Sequence, residues 1–230
     1  MVNRYSLAAE AKTVSERFSV DTTEAYAPIY NAAPTRLLPV ITQESQQGVS
    51  FFYWGAPPAW ANEKPLAERI INTQAELIAE KTVLKKKLRE HRCLVPADGF
   101  YGWKRIGKKT SVPYRFTLPD QSPFAIAGLW EEYDDQHGEP HHTFSIVTTA
   151  SSEWVSPFTD RMPAILDPAQ EKGWLTSGDE SVVMNMLAMY SGRLDHYSVS
   201  SQVNNADRND RTTILPAPAA DQFGNLTLFD

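Results

Sequence analysis

The run Arg92–Lys104 limits what this 230-residue chain can fold into more than any other stretch. It reads Arg-Cys-Leu-Val-Pro-Ala-Asp-Gly-Phe-Tyr-Gly-Trp-Lys. An apolar strand-like segment reaches Pro96, which cannot donate to a sheet ladder, and Asp98–Gly99 supplies turn chemistry. Phe100, Tyr101 and Trp103 follow, side chains that suit a half-buried pleated surface. The pattern predicts a strand that breaks at Pro96, a tight turn, and a second, aromatic strand.

Further strands are expected at Leu37–Ile41, Val49–Tyr53, Tyr114–Leu118, Phe124–Leu129 and Phe144–Thr148, with turns at Gly107 and Gly138. A short helix is expected around 10–18. A longer one is expected from Asn72, because Ala75, Ile78, Leu84 and Leu88 recur at roughly helical spacing. Asp167–Pro168–Ala169–Gln170 is a helix start, with the helix stopping near Trp174. Ser177–Gly178–Asp179–Glu180 is a second, leading through Val182, Val183, Met186, Leu187 and Tyr190 to a C-cap at Gly192. Strands outnumber helices and follow one another as hairpins, so the expected class is α+β with a largely antiparallel sheet. No repeat, low-complexity linker or composition shift divides the chain, so residues 1–230 are read as one domain.

Hydrophobic residues make up 42% of the chain, ample for a core. No window has the apolar length of a membrane span, and the N-terminus lacks a signal-peptide pattern. The single cysteine, Cys93, excludes an intramolecular disulfide. A cytoplasmic protein with no membrane partner is expected. No Cys/His spacing suggests zinc, no other cofactor is implied, and His141–His142 reads as a polar entry to the strand at Phe144. The net charge of −6 gives no bulk signal for nucleic acid. Lys85–Lys86–Lys87, with Arg89 and Arg92, is either the solvated face of a helix or a phosphate contact.

Seven segments occur in one order: Met1–Val2–Asn3–Arg4–Tyr5, Tyr30–Thr35, Tyr53–Trp54–Gly55 with Pro57–Trp60, Ile71–Glu76, Ala97–Trp103, Thr159–Pro163, and a C-terminal group of Val199–Ser200, Val203–Asn205 and Asn209–Asp210. Together they resemble the SOS-response-associated peptidase (SRAP) family, whose members form covalent adducts with abasic sites in single-stranded DNA. The corresponding family patterns are MCGRY, YNxAPT, WGLxPxW, INARxET, ADGFYEW and HDRMP, ahead of the C-terminal signature. The resemblance implies sheets curled into a barrel-like core flanked by helices.

It also implies a chemistry. In the family an N-terminal cysteine amine condenses with the sugar aldehyde and its thiolate closes a thiazolidine; a Glu and a His move protons, and an Asn positions the sugar. Carried over by position, the nucleophile is Val2, the acid is Gly102 and the His is Thr159, none of which can perform the role. Gln74 stands at the Arg of INAR, and Asn72 retains the Asn. The DNA-facing set implied is Arg4, Asn31, Trp60, Asn72, Gln74, Thr148 and Arg161.

Blander readings stand beside these. Asn72 could cap a helix, Arg161 could pair with Asp98 or Asp160, and Trp60 could cover the core rather than wedge beneath a base. Cys93, in an apolar run, reads as structural. Three functions therefore compete. The first is a catalytically degenerate protein that still binds single-stranded or abasic DNA. The second is a residual imine-forming lyase using the Val2 amine after Met1 is removed. The third is a pseudoenzyme that binds a protein partner.

Overall fold

The computed structural model describes residues 1–55, 70–134 and 137–227. In chain order the elements are β1 (Tyr5–Leu7), α1 (Ala11–Phe18), β2 (Ile29–Ala32), β3 (Leu37–Thr42), β4 (Ser50–Trp54), β5 (Asn72–Gln74), α2 (Ala75–Glu80), α3 (Thr82–Glu90), β6 (Arg92–Ala97) and β7 (Gly99–Arg105). They continue as β8 (Ser111–Thr117), β9 (Phe124–Asp134), β10 (Pro140–Ala150), β11 (Arg161–Pro163), α4 (Pro168–Thr176), α5 (Glu180–Asn185) and β12 (Asp195–Ser198), then 3₁₀ turns at Ser201–Asn204 and Arg211–Ile214.

The strands β3, β4, β10, β9 and β6 pair in a ring that closes on itself, giving an α+β fold built on a barrel. A second sheet runs β12–β8–β7–β1–β2. Among the described strands pairing is antiparallel except where β10 runs parallel to β4 and β5. The Arg92–Lys104 run is the corner between the sheets, with β6 in the barrel and β7 in the second sheet. Pro96 does not break β6 as the sequence suggests. It stays in the ladder opposite Ala125 of β9, while the pairing with β3 ends at Ile41 opposite Leu94, so the missing N–H falls beyond that pairing.

Alternation along β6 sorts the core. Cys93, Val95 and Ala97 join Trp54, Ile126, Phe144 and Ile146 on one side. Leu94 turns the other way, among Ile78, Leu88, Trp174 and Leu175 of the covering helices. The strand is buried on both faces, which is why its sequence is continuously apolar rather than alternating. Trp174 Nε1 donates to the Cys93 carbonyl at 2.9 Å and fixes α4 on the barrel.

The helix expected from Asn72 begins at Ala75 and is interrupted at Lys81, whose backbone is extended (φ −106°, ψ 119°). Asn72 itself is a strand residue and caps nothing. The start at Asp167 is as expected, its carboxylate accepting from Ala169 N, but α4 runs on to Thr176. At α5 the cap is Asp179, and the helix ends at Asn185, well short of Gly192. His141 and His142 lie inside β10, which starts at Pro140.

Asp98 organises the corner. Its carboxylate accepts from Ser6 Oγ (2.7 Å), Ala8 N (2.5 Å), Ala9 N (3.0 Å) and Arg115 Nη2 (2.7 Å), all in a buried setting. Gly99 leaves room for this, since a Cβ there would lie 2.6 Å from Arg115 Nε. Replacing Asp98 by Ala strands a buried guanidinium. Urea unfolding of Asp98→Ala is expected to show a loss of about 3–5 kcal/mol, with Asp98→Asn losing less.

Candidate functional site

The beginning of the chain is threaded into the fold. Val2 is 2% exposed, while Met1 is 76% exposed. Asn72 Nδ2 donates to the Val2 carbonyl at 2.7 Å. The parallel pairing of β5 with β10 sets Asn72 opposite Ile146 and Gln74 opposite Thr148. The antiparallel pairing of β10 with β11 sets Arg161 opposite Ala150. Three strands thus deliver Asn72, Thr148 and Arg161 to the chain start.

Arg161 forms a two-pronged ion pair: Nη1 and Nη2 donate to the Glu76 carboxylate oxygens, each at 2.8 Å. Nη2 also donates to the Thr148 carbonyl (2.5 Å) and Oγ1 (3.2 Å). The sequence allowed Asp98 or Asp160 as its partner; Asp98 instead holds Arg115, and Glu76 holds Arg161. The hydrogen bonds from Arg161 draw the Glu76 carboxyl below its ordinary value. Burial lowers the α-amine of Met1 below 8.0, opposed by nearby Asp160 and reinforced by Arg161. Asn72 Oδ1 and Arg161 Nε are buried and find no hydrogen-bond partner among the described residues.

Gly102 and Thr159 also meet here. A Cβ on Gly102 would lie 3.5 Å from Thr159 Cγ2 and only 2.9 Å from the Phe116 ring. Phe116 is fully buried, stacks on Phe100 at 5.0 Å, and packs edge-on against Phe158 at 5.1 Å. The space beyond Gly102 is occupied by this ring. His196 packs against Phe158 at 4.7 Å and Phe116 at 5.7 Å, and lines a cleft of about 420 Å³ with Trp154 and Arg193.

The remaining residues of the DNA-facing set diverge. Arg4 donates to the Asn3 carbonyl (2.7 Å) and the Asn204 carbonyl (3.3 Å), and burial lowers its pKa. Asn31 is 2% exposed, and its Nδ2 is committed to the carbonyls of Val203, Asn205 and Arg208. It pins the C-terminal loop, and Asn209 Oδ1 returns the favour on Tyr30 N and Asn31 N. Gln74 is exposed beside Thr148. Trp60 lies outside the described residues.

Three cations of the Lys85–Arg89 run are engaged. Lys86 pairs with Glu90 (3.9 Å), Lys87 with Glu131 (2.7 Å) and Arg89 with Glu180 (2.6 Å). Arg92 is buried and bonds the carbonyls of Leu88, Arg89, Trp174 and Ser177. This run serves helix α3 and its neighbours. Among the described residues no three His, Cys, Asp or Glu side chains gather as a metal site.

Two neighbours escaped the sequence reading. Glu76 sat inside a recognised segment without a role, and only pairing of β10 with both β5 and β11 brings it to Arg161. Phe116 carried a signal, the alternation of Tyr114, Phe116 and Leu118, but nothing local pointed it at Gly102.

With the geometry described, comparison places the chain. The sequence model of the SOS response associated peptidase (SRAP) family matches residues 1–206. The chain belongs to the SRAP family. It is 36% identical over 216 residues to the abasic site processing protein YoqW of Bacillus subtilis, covering 91% of this chain and 96% of that one. It is 27% identical over 217 residues to the abasic site processing protein HMCES of Xenopus tropicalis, covering 80% and 64%. A crystal structure of a Bacteroides thetaiotaomicron protein superposes with a TM-score of 0.80 at 26% identity, covering 93% and 99%. The SRAP fold is therefore the fold of this chain.

Cys93 does not replace a nucleophile in this SRAP chain. It is wholly buried, and desolvation pushes its thiol far above the ordinary range. In the native protein a disulfide-exchange reagent such as DTNB is expected to release no chromophore over hours, and one equivalent once guanidinium unfolds the chain.

Proposed function

We propose that this chain is a DNA-damage protein that holds single-stranded or abasic DNA at the seat formed by Val2, Asn72, Thr148 and Arg161, without the thiol-dependent crosslinking implied for its family. The relatives named as abasic site processing proteins support the DNA-damage setting. The observation that carries the reading is the packing at Gly102. The position of the family acid faces Phe116 and Thr159, so neither the family's carboxylate nor its imidazole stands at its own position, and the position of the family nucleophile is Val2. The retained pieces are those that position a strand rather than react with it: an Asn fixed on the first residues and an Arg with forked geometry, suited to phosphate.

Fluorescence anisotropy with a single-stranded oligonucleotide tests the binding half. Affinity is expected at low salt and falls steeply as salt rises, because phosphate contacts release counterions. No affinity at low salt removes the reading. The chemical half predicts that abasic DNA gives no adduct surviving denaturing electrophoresis unless a reductant is added; an unreduced, stable adduct contradicts it.

A second reading rests on the lowered α-amine at the chain start. A neutral amine there condenses with an abasic aldehyde to a reversible imine, losing water, and borohydride fixes the product as a secondary amine. Because burial lowers this group, the neutral fraction grows at lower pH than for a free amine. Borohydride-trapped product is expected to rise with pH through a midpoint below 8.0. Trapping that follows the lysine range instead assigns it to a surface amine. Removal of Met1 moves the amine to Val2, and intact mass of the trapped species reads which residue carries it.

A further inference from the structure

We propose that Glu76 is an intramolecular stand-in for a DNA phosphate: its carboxylate fills the fork of Arg161 in the free protein and has to leave before a strand can be held there. The inference rests on the reading that this seat binds DNA, and it concerns what sets the affinity.

The geometry is that of anion recognition. Two parallel N–H···O bonds of 2.8 Å join the guanidinium to the carboxylate, the arrangement a phosphodiester's two free oxygens also satisfy. The two partners are held very differently. The Arg161 side chain is 21% exposed and is fixed by the Thr148 carbonyl and hydroxyl, so its fork stays aimed with or without Glu76. The Glu76 side chain is 54% exposed, and Arg161 is its only side-chain partner among the described residues. A long, half-exposed acid can swing into water at little cost. The Arg161 guanidinium is tethered to Thr148 and does not swing with it.

The local charge points the same way. Arg161 faces Glu76 and has exposed Asp160 as its chain neighbour, the Met1 α-amine lies within the field of both Arg161 and Asp160, and Gln74 beside Thr148 adds no charge. With Glu76 in place, the seat offers an incoming anion no unpaired positive charge on Arg161. Exchange of carboxylate for phosphate keeps both hydrogen bonds and moves the negative charge of Glu76 outward. Glu76 thus weakens general binding to DNA and favours ligands whose other contacts repay the displacement.

Anisotropy with a fixed single-stranded oligonucleotide at one low salt concentration tests this on the full chain. Glu76→Gln is expected to bind about five-fold more tightly than the native chain, the scale of a partly exposed ion pair. The gain is expected to vanish when Arg161→Gln is also present. Glu76→Asp, too short for both prongs, is expected to fall between and serves if Glu76→Gln does not fold. An undiminished gain in the Arg161→Gln background means Glu76 repels DNA from a distance and overturns the stand-in. Equal or weaker binding by a Glu76→Gln chain of native thermal midpoint makes Glu76 a strut for Arg161 and overturns it while leaving DNA binding intact. Silence in all variants removes this inference and the DNA reading together, and native binding alone separates the two.

Discussion

A single buried carboxylate, that of Asp98, decides where this chain's beginning lies. It takes hydrogen bonds from β1, from the backbone that follows β1, and from Arg115 on β8. Arg115 passes the connection on: its Nη1 donates to the Tyr197 hydroxyl, and that hydroxyl donates to the Ile214 carbonyl. One network therefore spans the corner of the barrel, the second sheet and a C-terminal turn. A buried ion pair is weak evidence for net stability, since desolvation offsets much of the attraction. Its value here lies in register. Strand β1 has three residues, and so short a ladder has little pairing energy to choose its own alignment. Asp98 chooses for it, and every residue upstream of Tyr5 follows.

The site is then assembled from backbone pairings. Asn72 reaches Val2 because β5 runs parallel to β10, and Arg161 reaches Thr148 because β11 runs antiparallel to the same strand. Strand β10 is the shared wall. Asn31 does comparable work at the far end, tying three carbonyls of the loop after β12 to β2. Side chains that look like ligand contacts in the sequence are thus divided between those that face the seat and those that hold its frame.

The largely antiparallel strands, the helix starting at Asp167 and the inert character of Cys93 were legible because each depends on local chemistry: alternation, a capping carboxylate, an apolar run. The family segments made the architecture legible as well. The helix expected at Asn72 was misplaced because Ala75, Ile78, Leu84 and Leu88 keep helical spacing across Lys81, where the backbone is extended, while the strand pairing of Asn72–Gln74 is set by β10, seventy-odd residues away. Pro96 misled for a similar reason. Whether a proline breaks a strand depends on which edge needs its N–H, and the edge is a property of the sheet. Glu76 on Arg161 and Phe116 over Gly102 are contacts between distant segments, and no window of sequence contains them.

The burial of Val2 beneath an exposed Met1 has a consequence for timing. An exopeptidase must grip several residues in extended form to clip the first. In the finished fold the second residue is enclosed and its carbonyl is tied to Asn72. Any trimming of Met1 from the folded chain therefore has to open this end first, breaking the tie between Asn72 and the Val2 carbonyl.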